Sequence, residues 1–210
     1  MAKQRAVLVL GIGNLLWADE GFGVRAIEAL NAAYEFPPEV ELADGGTLGM
    51  YLLELVCTSP RILIFDCADL KSPPGTLKVL RDDQIKAWSA TKISPHQTGF
   101  NDVLVAAAMK GLYPERLTVI GVQPEVLDDF GGTLSAGIRA RLPEALDLAV
   151  AELAAWGFAA TPRPAGSSVP TLSTQALAIG VYESERPSAE AACRIGDERF
   201  LIHRAGREGV

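Results

Sequence analysis

The stretch Ala6-Val-Leu-Val-Leu-Gly-Ile-Gly-Asn-Leu-Leu-Trp-Ala-Asp-Glu-Gly-Phe-Gly23 sets the architecture. Ala6 to Leu10 is apolar without alternation, the pattern of a strand covered on both faces. Gly11 and Gly13 mark a turn. From Phe22 to Tyr34 the apolar positions Phe22, Ile27, Leu30 and Tyr34 fall on one helical stripe, and Pro37-Pro38 closes the unit. Strand, glycine turn and helix in that order open a βαβ unit.

The same rhythm continues outward. Val40 to Leu42 reads as a second strand, Asp44-Gly-Gly-Thr47 as a turn, and Leu48, Leu52, Leu55 and Val56 as the stripe of a second helix. Arg61 to Phe65 is a third, continuously apolar strand. Thr76 to Leu80 follows it after the turn Lys71-Ser-Pro-Pro-Gly75. A parallel crossover takes about a dozen residues or more, so this strand is predicted antiparallel to its neighbour. Residues 81–99 read as loop with a helical stretch near Gln84 to Trp88. A helix over Phe100 to Lys110, a last strand over Leu117 to Val122 and a helix over Pro143 to Trp156 complete the pattern. The expectation is a three-layer α/β/α fold with a twisted, mostly parallel five-stranded sheet including one antiparallel strand.

The chain has 210 residues, enough for one domain with a full core. We expect a single α/β domain over 1–160. Residues 161–210 form a Pro- and Ser-rich linker and a C-terminal extension, docked or partly disordered, with short strand candidates at Ala176 to Tyr182 and Phe200 to His203. The extension holds no candidate site residue and is expected to be dispensable for bond breaking. A net charge of −7 with no Lys/Arg cluster argues against nucleic acid as a partner. Three cysteines without a C-x-x-C pair fit a reducing compartment. The N-terminal apolar run is too short and too soon followed by Asp19 and Glu20 for a secretory signal, and no segment reaches membrane-spanning length. The expected location is the cytoplasm, with no membrane partner.

Three side chains of metal-binding or proton-transfer chemistry stand just beyond apolar runs: Glu20, Asp66 and His96. Asp44 follows the second strand. In open α/β sheets ligands bind beyond the carboxyl ends of the strands, and the topology sends all four residues to that edge. Two carboxylates and an imidazole are the ingredients of an open metal site or an acid–base site. Each also has an ordinary reading: Glu20 as a helix N-terminal charge, Asp66 as a turn or capping residue, His96 as a surface loop residue. Gly11-x-Gly13 lacks the third glycine of a dinucleotide fingerprint, whose place is taken by Leu16, and Asp19 and Glu20 would repel a pyrophosphate. There is no P-loop, no G-x-S-x-G and no H-E-x-x-H. A Cys67–His96 dyad is chemically conceivable.

Four segments taken together, Gly11 to Val24, Asp44-Gly-Gly-Thr-Leu-Gly49, the strand ending in Phe65-Asp66, and Ser94-Pro-His-Gln-Thr-Gly-Phe-Asn-Asp-Val-Leu104, resemble the hydrogenase maturation endopeptidases. Ile120-Gly-Val-Gln-Pro-Glu-Val-Leu127 is similar to the segment after that family's last strand. The resemblance covers roughly residues 5–158. It implies a protease that removes a C-terminal extension from the nickel–iron hydrogenase large-subunit precursor after nickel insertion. It implies that Glu20, Asp66 and His96 contact the nickel, with Asp44 and Asp66 as candidate catalytic carboxylates. The nickel would be that of the substrate precursor, though carboxylate and imidazole also suit other divalent ions and a resident metal. A non-cleaving, nickel-checking chaperone for the same precursor would use the same residues.

Overall fold

Strand β1 (Val7–Ile12) is buried along its whole length because helices cover both of its faces. The computed structural model describes residues 5–85, 95–164 and 166–187, with residues 95–98 described by backbone alone. β1 pairs in parallel with β3 (Val40–Gly46) on one side and β4 (Arg61–Cys67) on the other. β6 (Arg116–Val122) joins β4 in parallel, and β5 (Leu77–Arg81) runs antiparallel along β6. The strand order is β3-β1-β4-β6-β5. This is the expected three-layer α/β/α fold with one antiparallel strand, and the short connection from β4 to β5 accounts for that strand's direction.

Alternation divides the core cleanly. Val7, Val9, Leu63, Phe65, Ile120 and Val122 face one layer, α1 (Phe22–Ala33) and α5 (Leu142–Ala155). Leu8, Leu10, Ile12, Ile62, Ile64, Leu117 and Val119 face the other, α2 (Leu53–Cys57) and α3 (Pro95–Met109). Each fully buried Leu, Ile or Val contributes roughly 1.5–3 kcal/mol. A central strand therefore tolerates no polar residue between Val7 and Leu10.

Several boundaries differ from the sequence expectation. The second strand runs on to Gly46, so Asp44 lies within a strand and not in a turn. Parallel pairing with β1 extends it, Gly11 opposite Asp44 and Ile12 opposite Gly46 across an irregularity. Gly46 then leaves the strand at φ +39°, a backbone region that suits glycine. The third strand likewise runs through Asp66 to Cys67. Helix α3 starts at Pro95, not Phe100, which brings the backbone of His96 into its first turn; proline suits that position because its missing N–H has no helical acceptor there. The stretch Gln84 to Trp88 lies largely outside the described residues.

Residues 161–164 and 166–182 pack along α1. β7 (Thr161–Pro162) pairs antiparallel with β2 (Tyr34–Glu35). Arg163 then occupies the C-terminal end of α1, its Nε donating to Asn31 O at 2.9 Å and Tyr34 O at 3.0 Å. Asn31 Nδ2 donates to Pro170 O, Ser173 donates twice to Glu28 Oε1, and Arg25 donates to Leu177 O at 2.6 Å. The order 31, 28, 25 shows the segment running from the C-terminal to the N-terminal end of α1. The strand candidate Ala176 to Tyr182 is instead a 3-10 turn (Gln175–Leu177) and helix α6 (Ile179–Ser184). Over α1 it has no strand to pair with, so its backbone groups bond within the segment. Phe200 to His203 lies outside the described residues. Among the described residues no helix is long and apolar enough to cross a membrane.

A chain ending at Ala160 is expected to fold, because the sheet and its helical layers precede that point. It loses the bonds to Arg163, Glu28 and Arg25, each contributing about 1 kcal/mol. A thermal melt should show a Tm lower by about 10 °C for a loss of roughly 3 kcal/mol in a chain of this size. A parental Tm would show that the docked segment contributes no net stability.

Candidate functional site

The chain leaves β1 toward β3 through α1, and leaves β3 toward β4 through α2. From β4 the chain goes on to β5 and β6, on the side of the sheet away from β3, so the crevice between the carboxyl ends of β1 and β4 is the switch point where such folds bind ligands. Glu20 lies in the segment after β1, and Asp66 lies near the end of β4.

Glycines bring these backbones together. A Cβ on Gly13 would lie 1.9 Å from Glu20 O, and Gly13 itself sits at φ +143°. Its N–H donates to Gly46 O at 3.0 Å, while Asn14 N–H donates to Glu20 O at 3.1 Å. The loop thus folds back until Glu20 rests on the exit of β1. Three residues on, a Cβ at Gly23 would lie 2.1 Å from Ile12 O and 2.3 Å from Phe65 O. The start of α1 is therefore seated on the ends of β1 and β4 together, one residue from Asp66.

Glu20 belongs to a 3-10 turn, Ala18–Gly21. Ala18 takes φ +39°, a left-handed conformation that costs an L-residue roughly 1–2 kcal/mol. The neighbouring Asp19 is fully buried, and Trp17 stacks edge-on against Phe130 at 5.1 Å. Asp66 is 8 % exposed and pairs in register with Gly121 of β6. Alternation along β4 puts it on the face of Ile62 and Ile64, the side of α2 and α3. The backbone of His96 reaches this same face and edge: three residues on, a Cβ at Gly99 would come within 3.9 Å of Gly49 Cα, just beyond β3. The side chain of His96 lies outside the described residues.

Asp44 stands at the same edge but on the opposite face. It pairs with Gly11, in the row that carries Phe65 toward α1. Burial raises its carboxyl pKa above the ordinary value; the N–H of Gly46 opposes that, Glu28 adds to it and Arg25 again opposes it. Its Oδ1 is buried with no hydrogen-bond partner among the described residues. A carboxyl raised in the folded state favours folding when protonated. That contribution is complete below the ordinary Asp range, near pH 4, and is lost as pH rises through the raised folded value. Asp44→Asn is therefore expected to raise stability at pH 7, by no more than about 1 kcal/mol, with the gain vanishing toward pH 3. Melts at both pH values check the sign.

Cys67 follows Asp66 on the strand and so faces the other way, against the α1 and α5 core. That places it across the sheet from α3 and removes the basis for a Cys67–His96 dyad. Asp19 and Arg25 are not among the site residues the sequence points to. The signal for Asp19 is its place as the first acid of an Asp-Glu pair between apolar residues. Arg25 is 5 % exposed in the first turn of α1, its guanidinium covered by Leu177 O and the Tyr182 ring. Burial lowers its pKa, opposed by Glu183, Tyr182 and Glu28; no motif in the sequence announces that cover.

Residues 24–152 match the family model of the hydrogenase maturation proteases. The hydrogenase expression/formation protein HupM of Azotobacter chroococcum is 52% identical over 203 residues, covering 96% of each chain. The hydrogenase 2 maturation protease of Escherichia coli is 43% identical over 160 residues, 76% of this chain and 97% of its own. The solved hydrogenase maturating endopeptidase HybD of E. coli superposes with a TM-score of 0.72 at 42% identity, over 75% of this chain and 98% of that one. The chain belongs to the hydrogenase maturation protease family. About a quarter of it has no counterpart in the E. coli proteins, whereas the Azotobacter relative matches nearly its whole length.

Proposed function

We propose that this protein is the endopeptidase that removes the C-terminal extension of a nickel–iron hydrogenase large-subunit precursor once nickel has been inserted, and that Glu20, Asp66 and His96 contact that nickel. The observation that carries this reading is the placement of Glu20 and Asp66 at the switch point between β1 and β4, with the start of α3 on the same face as Asp66. The nickel arrives as cargo of the substrate. Two carboxylates and an imidazole leave coordination positions for the precursor's own ligands, so productive docking waits for a loaded precursor. A carboxylate at the site, Asp66 in this assignment, takes a proton from the attacking water; the water oxygen bonds to the scissile carbonyl carbon, and the leaving amine takes the proton as the C–N bond breaks. Asp44, on the other face of the same edge, suits contact with the precursor chain beyond the nickel. The protein would act in the cytoplasm, in keeping with its three cysteines and the absence of a C-x-x-C pair.

The decisive experiment incubates the purified protein with precursor prepared with and without nickel and follows shortening of the large subunit. Cleavage of the loaded form alone is expected. Equal cleavage of both forms, lost when the protease is treated with a chelator, would assign the metal to the protease as a resident ion. Tight binding of loaded precursor without shortening would make the protein a checking chaperone.

A further inference from the structure

We propose that Asp19 is a positioning residue for Glu20: it fastens the turn carrying Glu20 to the segment that follows β6. The proposal rests on the assignment of Glu20 to the substrate's nickel. The Asp19 side chain is fully buried and both of its oxygens are engaged. Oδ2 accepts from the backbone N–H of Glu125 at 3.0 Å and of Val126 at 2.7 Å, and from Ser135 Oγ at 3.1 Å. Oδ1 accepts from the backbone N–H of Ser135 at 2.7 Å. The backbone N–H of Asp19 in turn donates to Val126 O at 3.1 Å. One carboxylate therefore ties residues 125, 126 and 135 to the turn Ala18–Gly21.

The turn needs that fastening. Most of its own bonds are internal: Leu16 N–H to Asn14 Oδ1, Trp17 N–H to Asn14 O, Glu20 N–H to Trp17 O and Asn14 N–H to Glu20 O. These fold Glu20 back onto the exit of β1 without reaching the segment after β6, and they enclose Ala18 in a left-handed conformation. Outside contacts come from Gly13, from the Leu16–Gly131 hydrogen bond, from the Trp17–Phe130 pair and from Asp19. Among the described residues, Asp19 does so from the position beside Glu20. Its anchor is firm. Ser135 Oγ caps α4 (Ala136–Arg139) by accepting from Ile138 N–H, and Arg139 pairs with Glu183 of the docked C-terminal segment, which also accepts from Thr133 Oγ1 at 2.6 Å. A metal-contacting side chain depends on such outer partners for its direction, and their loss commonly costs 10–100-fold in metal affinity or activity.

Asparagine at position 19 keeps the shape but replaces one acceptor oxygen by an NH2, which would face N–H donors in either orientation. The test uses the full chain with Asp19→Asn and Ser135→Ala, each followed by kcat and KM for cleavage of nickel-loaded precursor, by backbone amide exchange over residues 14–21, and by a thermal melt. Asp19→Asn is expected to lower kcat/KM for nickel-loaded precursor about 10–100-fold, and to speed exchange over 14–21 but not in α5. Ser135→Ala, which removes one hydroxyl bond and leaves the N–H, should show the same effects to a smaller degree with a near-parental melt. A lowered Tm with parental kcat/KM and parental exchange over 14–21 would overturn the proposal and leave Asp19 a purely structural carboxylate. If Asp19→Asn does not fold, Ser135→Ala decides by the same criterion. If the parent itself fails to cleave loaded precursor, the protease reading falls separately, and unchanged exchange over 14–21 in the variants would still overturn the positioning role.

Discussion

Gly23→Ala should cost the protein its fold at ordinary temperature. The added Cβ would lie 2.1 Å from Ile12 O, 2.3 Å from Phe65 O and 2.7 Å from Ile12 N, all backbone atoms of the two central strands. No flexible side chain can yield. Relief requires lifting the start of α1 from the sheet, and Phe22, Ala26, Ile27 and Leu30 would leave their core contacts with it. A loss of more than about 4 kcal/mol is expected, at the extreme end of single substitutions. For a protein with an ordinary margin of roughly 5–15 kcal/mol this leaves little or no folded material near physiological temperature. The control is Gly180→Ala in α6, where a Cβ meets nothing within 4 Å. That change should raise stability by about 0.5–1 kcal/mol because alanine favours the helix. Circular-dichroism melts of both variants give the comparison; a Gly23→Ala protein melting near the parent would show that the close seating of α1 is not required.

His96→Ala and Asp66→Asn should each abolish processing of nickel-loaded precursor while the protein stays folded. His96 lies in the first turn of α3, where alanine is an excellent helix residue, so its loss removes an imidazole without weakening the helix. Asp66→Asn keeps the volume of a nearly buried side chain in β4 and removes its charge and basicity. Loss of a general base alone costs about 10²–10⁴-fold, and loss of nickel contact would remove the discrimination between loaded and unloaded precursor as well. His203→Ala, outside the matched family region, should process normally. The measurement is the fraction of large subunit shortened at fixed time, beside a melt of each variant. A His96→Ala variant that cleaves at the parental rate would remove that residue from the site; one that unfolds would make it structural.

Much of the fold was legible in the chain. Unalternating apolar runs at Ala6 to Leu10, Arg61 to Phe65 and Leu117 to Val122 mark strands buried on both faces, since only such strands dispense with a polar side. Helical stripes between them dictate parallel pairing, and the short link before Thr76 dictates the one antiparallel strand. The carboxyl-edge placement of Glu20, Asp66 and Asp44 follows from that topology alone, because each residue trails or ends its strand.

The local periodicity of a chain records which face of an element is apolar, and so it settled the elements, their direction and the edge where the site residues stand. It carries no information on contacts between residues distant in sequence. Only the tertiary structure put Asp44 on the face opposite Asp66, because a parallel partner drew Asp-Gly-Gly out of a turn and into a strand. Only it revealed that, beyond the short β7 pairing, residues 166–182 run along α1 as turns and helix, because their partners are side chains 25, 28 and 31 of that helix. The burial of Asp19, whose bonds reach more than a hundred residues along the chain to Glu125, Val126 and Ser135, was likewise decided by packing.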